Sequence, residues 1–287
     1  MLVLSVFFAF LGAASNATGT VLQRKAALSV PSEDALKPRI LADLVHQPIF
    51  LLGICGVAGA ALFQALALVT GPLALVQPVF ILELPLALLI SLPVLHRALP
   101  RSGWIAVGFM VVGLVFGLAC AAPSGGHPQA PLAKLLPAVA VCVGVILFTV
   151  TAARHRRAGP ARAALLATGS AVGNALTAAL LKSSADTFSS DGLDAFLTTW
   201  QTYAFAVTGI VAVFLLENAL QAGPIAASQP ALTLGDAVVS LILGITVYGE
   251  QVRTGWWLLP ELAAIALIVT GTIHLSRAVP LTRELAN

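Results

Sequence analysis

An all-α polytopic membrane protein is what this sequence predicts: about nine transmembrane helices, arranged as two inverted-topology four-helix repeats with an extra linking helix. Three observations carry that expectation. Of the 287 residues 59% are hydrophobic and only 9% are charged, against about 25% charged in a soluble domain. The apolar residues fall into runs of about twenty, the length a helix needs to cross a hydrocarbon core of about 30 Å. A set of paired motifs also recurs in one unbroken register.

Nine runs meet the length requirement. They are Leu2–Gln23, Ile49–Val69, Pro72–Leu95, Trp104–Ala122, Leu132–Thr151, Ala163–Lys182, Trp200–Gln221, Ile225–Tyr248 and Trp256–Leu275. Two of the boundaries are drawn only by a helix-breaking pair, Gly71-Pro72 and Gly223-Pro224. The apolar start lacks the basic region of a cleaved signal peptide and reads as a retained first span.

The side of each loop follows from its basic residues. With nine spans, Arg24, Lys25, Lys37, Arg39, Arg97, Arg101, Arg154, Arg156, Arg157, Arg162, Arg277 and Arg283 fall on one side, and only Lys134, Lys182 and Arg253 on the other. Cytoplasmic loops hold the excess of Lys and Arg, which puts the N-terminus outside and the C-terminus in the cytoplasm. The abundance of arginine and alanine points to a bacterial inner membrane. A net charge of +3 spread over membrane loops forms no basic stripe, so no nucleic-acid partner is expected.

Gly71-Pro72-Leu73-Ala74-Leu75-Val76-Gln77-Pro78 aligns with Gly223-Pro224-Ile225-Ala226-Ala227-Ser228-Gln229-Pro230, and Arg101-Ser102-Gly103-Trp104 with Arg253-Thr254-Gly255-Trp256. The offset is a constant 152 residues, from Gln77 to Gln229 and from Trp104 to Trp256. Chance reproduces a single Gly or Pro easily, but not three composite motifs without a gap. Asn16 in the first span can also be placed on Asn174 in the sixth. The chain therefore divides into a first repeat (1–123), a linking span (124–157) and a second repeat (158–287). The unmatched fifth span makes the second copy enter the membrane from the opposite side, the arrangement of many secondary transporters.

An acid deep in a bilayer costs at least about 2.5–3.5 kcal/mol on insertion scales, so Glu83 and Asp236 need an explanation. Each lies about halfway along its repeat-equivalent span, although Glu83 aligns with Gly235, one position out of register. The functional reading, that they bind a cation or take up a proton, is favoured over a carboxyl that locks two helices. Glu217 and Glu261 lie nearer span ends. Asn16, Asn174, Gln64, Gln77, Gln229 and Asn218 form a second polar layer, for which packing and substrate contact both remain open. Pro78 and Pro230 each remove a backbone donor and mark helix breaks that could free carbonyls toward a cavity.

Neither the three cysteines, all within apolar runs, nor the five histidines have metal-ligand or redox spacing. No hydrolase or phosphate-loop motif occurs; no enzymatic activity and no cofactor are expected, and a metal enters only if Glu83 and Asp236 hold a cation directly.

The paired motifs, short Gly-Pro turns and nine-span count resemble the drug/metabolite transporter (EamA-like) superfamily, and within it the NIPA-like magnesium transporters. The resemblance covers nearly the whole chain and is strongest over Gly71–Trp104 and Gly223–Trp256. It implies inverted repeats around a central cavity and transport of a small solute or ion. The magnesium branch carries an acid in its second span, whereas Ile49–Val69 offers only Gln64. The leading expectation is a transporter of a small cation or metabolite in the lipid bilayer. A proton-coupled exporter, a non-transporting scaffold and, more weakly, an enzyme acting on a lipid-linked substrate are the alternatives, and a homodimer is left open.

The charge distribution generates the first prediction. Single cysteines at Ser124 and Ser190, in a cysteine-free background, are expected to react with an impermeant thiol reagent applied to intact cells. One at Ala158 is expected not to; labelling there would overturn the orientation.

Overall fold

Why these stretches become helices follows from the absence of water around them. In hydrocarbon each backbone N–H and C=O must find its partner within the protein, and a helix satisfies them along a single segment. The computed structural model describes residues 2–28, 47–94, 101–253 and 255–278. Among these, nine helices are long and apolar enough to cross a membrane, the architecture of an all-α multi-pass membrane protein. Lys37, Arg39, Arg97 and Arg283 of the charge argument lie outside the described residues.

In chain order the helices are α1 (Leu2–Leu28), α2 (Pro48–Thr70), α3 (Leu73–Phe80), α4 (Glu83–Val94), α5 (Arg101–Ala121), α6 (Leu132–Arg154), α7 (Pro160–Thr198), α8 (Trp200–Ala222), α9 (Ile225–Thr246) and α10 (Leu258–Ala278). Helices α3 and α4 together make one span. Span boundaries agree with the sequence within a few residues, with one exception. The sixth was expected to end at Lys182, whereas α7 runs on to Thr198, with its regular geometry interrupted only at Gly192, whose φ is +84°. Its Ser, Thr and Asp side chains lower hydropathy without breaking the helix, because Thr187, Ser190 and Thr198 hydrogen-bond to carbonyls one turn earlier.

Helix α7 is the most enclosed of the spans and packs on α6, α8 and α9. The most extensive contacts join α1 to α2, α7 to α8, and α5 to α10. In each of the first two pairs a serine crosses the interface: Ser15 Oγ donates to Gly56 O at 2.7 Å, and Ser170 Oγ to Ala212 O at 2.7 Å. Large apolar side chains face outward, as with Phe148 and Ile210, 69% and 71% exposed. That is the surface a lipid solvent selects.

Two sets of helix ends can be told apart. At one end a short antiparallel pair, β1 (Ser124–Gly125) with β2 (Glu250–Gln251), joins the turn after α5 to the turn after α9. Arg253 N–H donates to Ala121 O at 2.9 Å and His127 N–H to Tyr248 O at 2.7 Å beside it. At the other end Gly159 N–H donates to Ala222 O at 2.7 Å, joining the start of α7 to the end of α8.

The α1–α2 crossing is close enough to demand glycine. A Cβ on Gly19 would come 2.8 Å from Gly53 O and 2.9 Å from Val57 N, and backbone cannot swing aside. Gly19→Ala is expected to cost about 1–3 kcal/mol, seen as a lower thermal midpoint in detergent. Gly108→Ala, with nothing within 4 Å, is expected to leave the midpoint unchanged.

Candidate functional site

The middle of the protein is built around a break in its third span. Pro85 has no N–H to give to Ile81 O one turn earlier, and the chain tightens there: Ile81 N–H donates to Pro78 O at 3.1 Å and Leu82 N–H to Val79 O at 3.0 Å, both three-residue bonds. Helix α4 then begins at Glu83. The carboxylate thus stands in a first helical turn, where unsatisfied N–H groups favour negative charge. Pro78 lies inside α3 and Pro230 inside α9 without ending either helix; the register sets Pro85 opposite Ala237, and α9 has no break there.

Glu83 is half-buried, and its carboxyl lies near the Asn16 side chain of α1. Asp236 of α9, also half-buried, accepts from Ser240 Oγ one turn on, at 3.3 Å. The two carboxyl groups are near enough for their charges to act on each other. Three residues singled out in the sequence, Asn16, Glu83 and Asp236, therefore come together although they sit on three helices. The one-residue slip in the repeat does not separate the acids. An oxygen-rich set of two carboxyls, a carboxamide and a hydroxyl can hold a cation or share a proton. Among the described residues no three His, Cys, Asp or Glu side chains cluster as metal ligands.

The remaining sequence candidates are spread more widely. Asn174 is half-buried on α7, one turn from Ala171, whose Cβ lies 2.7 Å from where a Cβ on Gly235 would stand; it borders the same helix pair as Asp236. Gln77 is buried, and Gln64 and Gln229 are half-buried. Asn218 Nδ2 donates to Phe214 O of its own helix at 2.7 Å, and Glu217 is exposed.

Glu250 did not stand out in the sequence. Its side chain is fully buried at the β1–β2 end and bonded to three donors. Lys182 Nζ lies 2.6 Å from Oε1, Leu73 N–H donates to Oε1 at 2.6 Å, and Ala74 N–H donates to Oε2 at 2.8 Å. The two amides are the orphan donors at the N-terminus of α3, where Pro72 offers no side-chain cap. Glu250 thus caps a helix that lies 176 residues away in sequence. Lys182 also sits over the Tyr248 ring, 4.6 Å from its centroid. The Tyr248 hydroxyl bonds Ala179 O and Ser183 Oγ.

Sequence reasoning missed this cluster for two reasons. Lys182 was placed at a span end, where a lysine ordinarily reaches water, and the longer α7 removes that exit. The repeat register sets Glu250 opposite Ala98, so a comparison of the halves gives it no partner. The available signal was that very imbalance, an acid in one half where the other has alanine.

The chain is 29% identical over 279 residues to an uncharacterized protein of Corynebacterium glutamicum, an alignment that covers 96% of this chain and 95% of that one. No protein-family profile matches it, and no solved structure does.

Removal of the Glu250 carboxylate would leave Lys182 charged and two amides bare in the interior. Glu250→Ala is expected to cost about 3–5 kcal/mol, and Tyr248→Phe, which removes only a hydroxyl, about 1–3 kcal/mol. Chemical denaturation in detergent micelles checks the order; equal costs would mean the carboxylate is not the anchor.

Proposed function

We propose that this chain is a secondary transporter that moves a small cation or metabolite across the membrane by alternating access. The observation that carries the reading is the meeting of Glu83, Asp236 and Asn16 in the middle of the protein, with Glu83 at a broken span. A carboxyl in a low-dielectric interior is costly when ionised and unpaired. Lys182, a buried lysine, is already taken by Glu250. A cation or proton that arrives from solution therefore meets acids with an unmet demand for positive charge.

The working parts are two inverted repeats, residues 1–123 and 158–287, with residues 124–157 as the link. The register of 152 residues supports this division. So do the corresponding contacts of α1 with α2 and of α7 with α8, each crossed by a serine bond at nearly the same separation, 41 and 42 residues. Broken helices near the midplane are common carriers of such sites. Excess Lys and Arg at the end of the protein that holds Gly159 supports a cytoplasmic location for that end, and the β1–β2 end then lies outside.

Membership of the drug/metabolite transporter superfamily fits the paired motifs. Magnesium as cargo finds less support, because α2 (Pro48–Thr70) contains no acid and a hydrated Mg2+ wants one or two carboxylates at hand; Glu83 and Asp236 would have to supply them.

The substitutions Glu83→Gln and Asp236→Asn keep size while they remove charge. In proteoliposomes that enclose a magnesium-sensitive or a pH-sensitive dye, direct cation binding predicts at least a roughly tenfold loss of flux in both variants. Proton coupling predicts that one variant loses pH-driven transport yet keeps solute exchange. Normal flux in both, at normal abundance, would leave the acids as helix-locking groups and favour a scaffold.

A further inference from the structure

Toward the β1–β2 end the two central spans are closely packed. On the third span Leu73, Val76, Gln77 and Val79 are buried on the Glu250 side of Glu83, and on α9 Ser240, Leu243 and Val247 are buried on the Glu250 side of Asp236. Phe80 through Leu84 and Gln229 through Asp236 are half-buried, and Pro85, Leu88 and Ser228 beyond them are buried again. A cleft of about 540 Å³ indents the β1–β2 end, lined by Leu75, Leu118, Pro123, Ser124 and Arg253 among others, but it includes neither central acid.

What holds that end shut is one carboxylate. Glu250 ties α3, in the first repeat, to Lys182 of α7 and to the turn after α9, both in the second. Its fit is tight, since a Cβ on Gly126 would come 2.7 Å from its Cγ and Gly244 lies directly against its carboxylate. Apolar packing alone tolerates small slides between helices. A carboxylate gripped by three donors from separate segments does not: it is either seated with all of them or withdrawn. That makes the contact two-state, as a gate must be.

We propose that the Glu250 carboxylate, with Lys182 and the Leu73 and Ala74 amides, is the latch that closes the central cavity toward the β1–β2 end, and that it parts when the cavity opens there. The proposal rests on the transporter reading and adds to it which end this structure closes and by what contact. The charge is the device: the paired ions stay out of water while seated, and water that enters as the halves separate solvates both. The opposite end has no counterpart among the described residues, where Gly159 N–H to Ala222 O is a neutral backbone bond.

The test reads accessibility, which needs no knowledge of the cargo. With Cys55, Cys120 and Cys142 replaced by alanine, Ser240→Cys reports on the latch side of Asp236 and Leu232→Cys on the far side. Each is titrated with a charged, impermeant methanethiosulfonate from either face, in right-side-out and inside-out vesicles. With the latch intact, the Ser240→Cys thiol is expected to react slowly from the latch face. Lys182→Met with Glu250→Gln removes the pair without an unpaired charge. It is expected to raise that rate at least roughly tenfold and to slow labelling of the Leu232→Cys thiol from the opposite face. Unchanged rates, or faster labelling from both faces, would overturn the latch and leave a static brace. If the double variant does not fold, Lys182→Gln with Glu250→Gln, which leaves no charge unpaired and keeps an acceptor for the amides, is held to the same reciprocal outcome. Labelling is independent of flux, so failure here leaves the Glu83 and Asp236 assignment standing, and normal flux in their variants leaves the latch standing.

Discussion

A carboxylate without water governs this structure. Desolvation of an ion costs several kcal/mol even after the protein relaxes, and Glu250, with a side chain 0% exposed, has three donors around it in place of water. Those donors could not come from its own segment. A two-residue strand leaves few amides free, so the group reaches to the start of α3 and to a lysine in the core of α7. In return α3 acquires a cap that its own sequence lacks: Pro72 precedes its first turn and has no side-chain oxygen to offer. Helix ends in hydrocarbon surroundings are the one place where a helix does not satisfy itself. Glu250 meets that need and the need of its own charge at once.

The two acidic centres differ in how far this balance is complete. Glu250 has a cation and two amides, whereas Glu83 and Asp236 have Asn16, Ser240 and each other. The first is complete in charge and hydrogen bonds, fit for holding segments together. Among the described residues no cation stands against the second, which is the observation behind the proposed ion or proton site. The break between α3 and α4 sets the two apart along the third span, with α3 capped by Glu250 at its start and Glu83 opening α4 after its end.

Much of this was legible in the amino acids because a bilayer imposes a one-dimensional rule. Twenty or so apolar residues make a span wherever they occur, so the number of spans and most of their limits needed no knowledge of neighbours. The exception shows the rule's range: α7 continues past Lys182 through Ser, Thr and Asp residues, since a helix bounded by other helices can carry polar groups that hydropathy reads as loop. The acids at 83 and 236 were visible for the same reason, as charges inside apolar runs.

Pairings between distant residues were not legible. No local rule places Glu250 beside Leu73, or turns Lys182 away from water and over Tyr248, because those neighbours are chosen by how helices pack. The sequence by itself determined the solvent, the helices, the recurrence of paired motifs and the presence of charges that must be answered. Only the tertiary structure decided which charge answers which, that α3 and α9 both run through their prolines, and which remote segments Glu250 ties together. Each of those depends on the free energy of a group in surroundings built from remote segments, and that quantity exists only once the chain has folded.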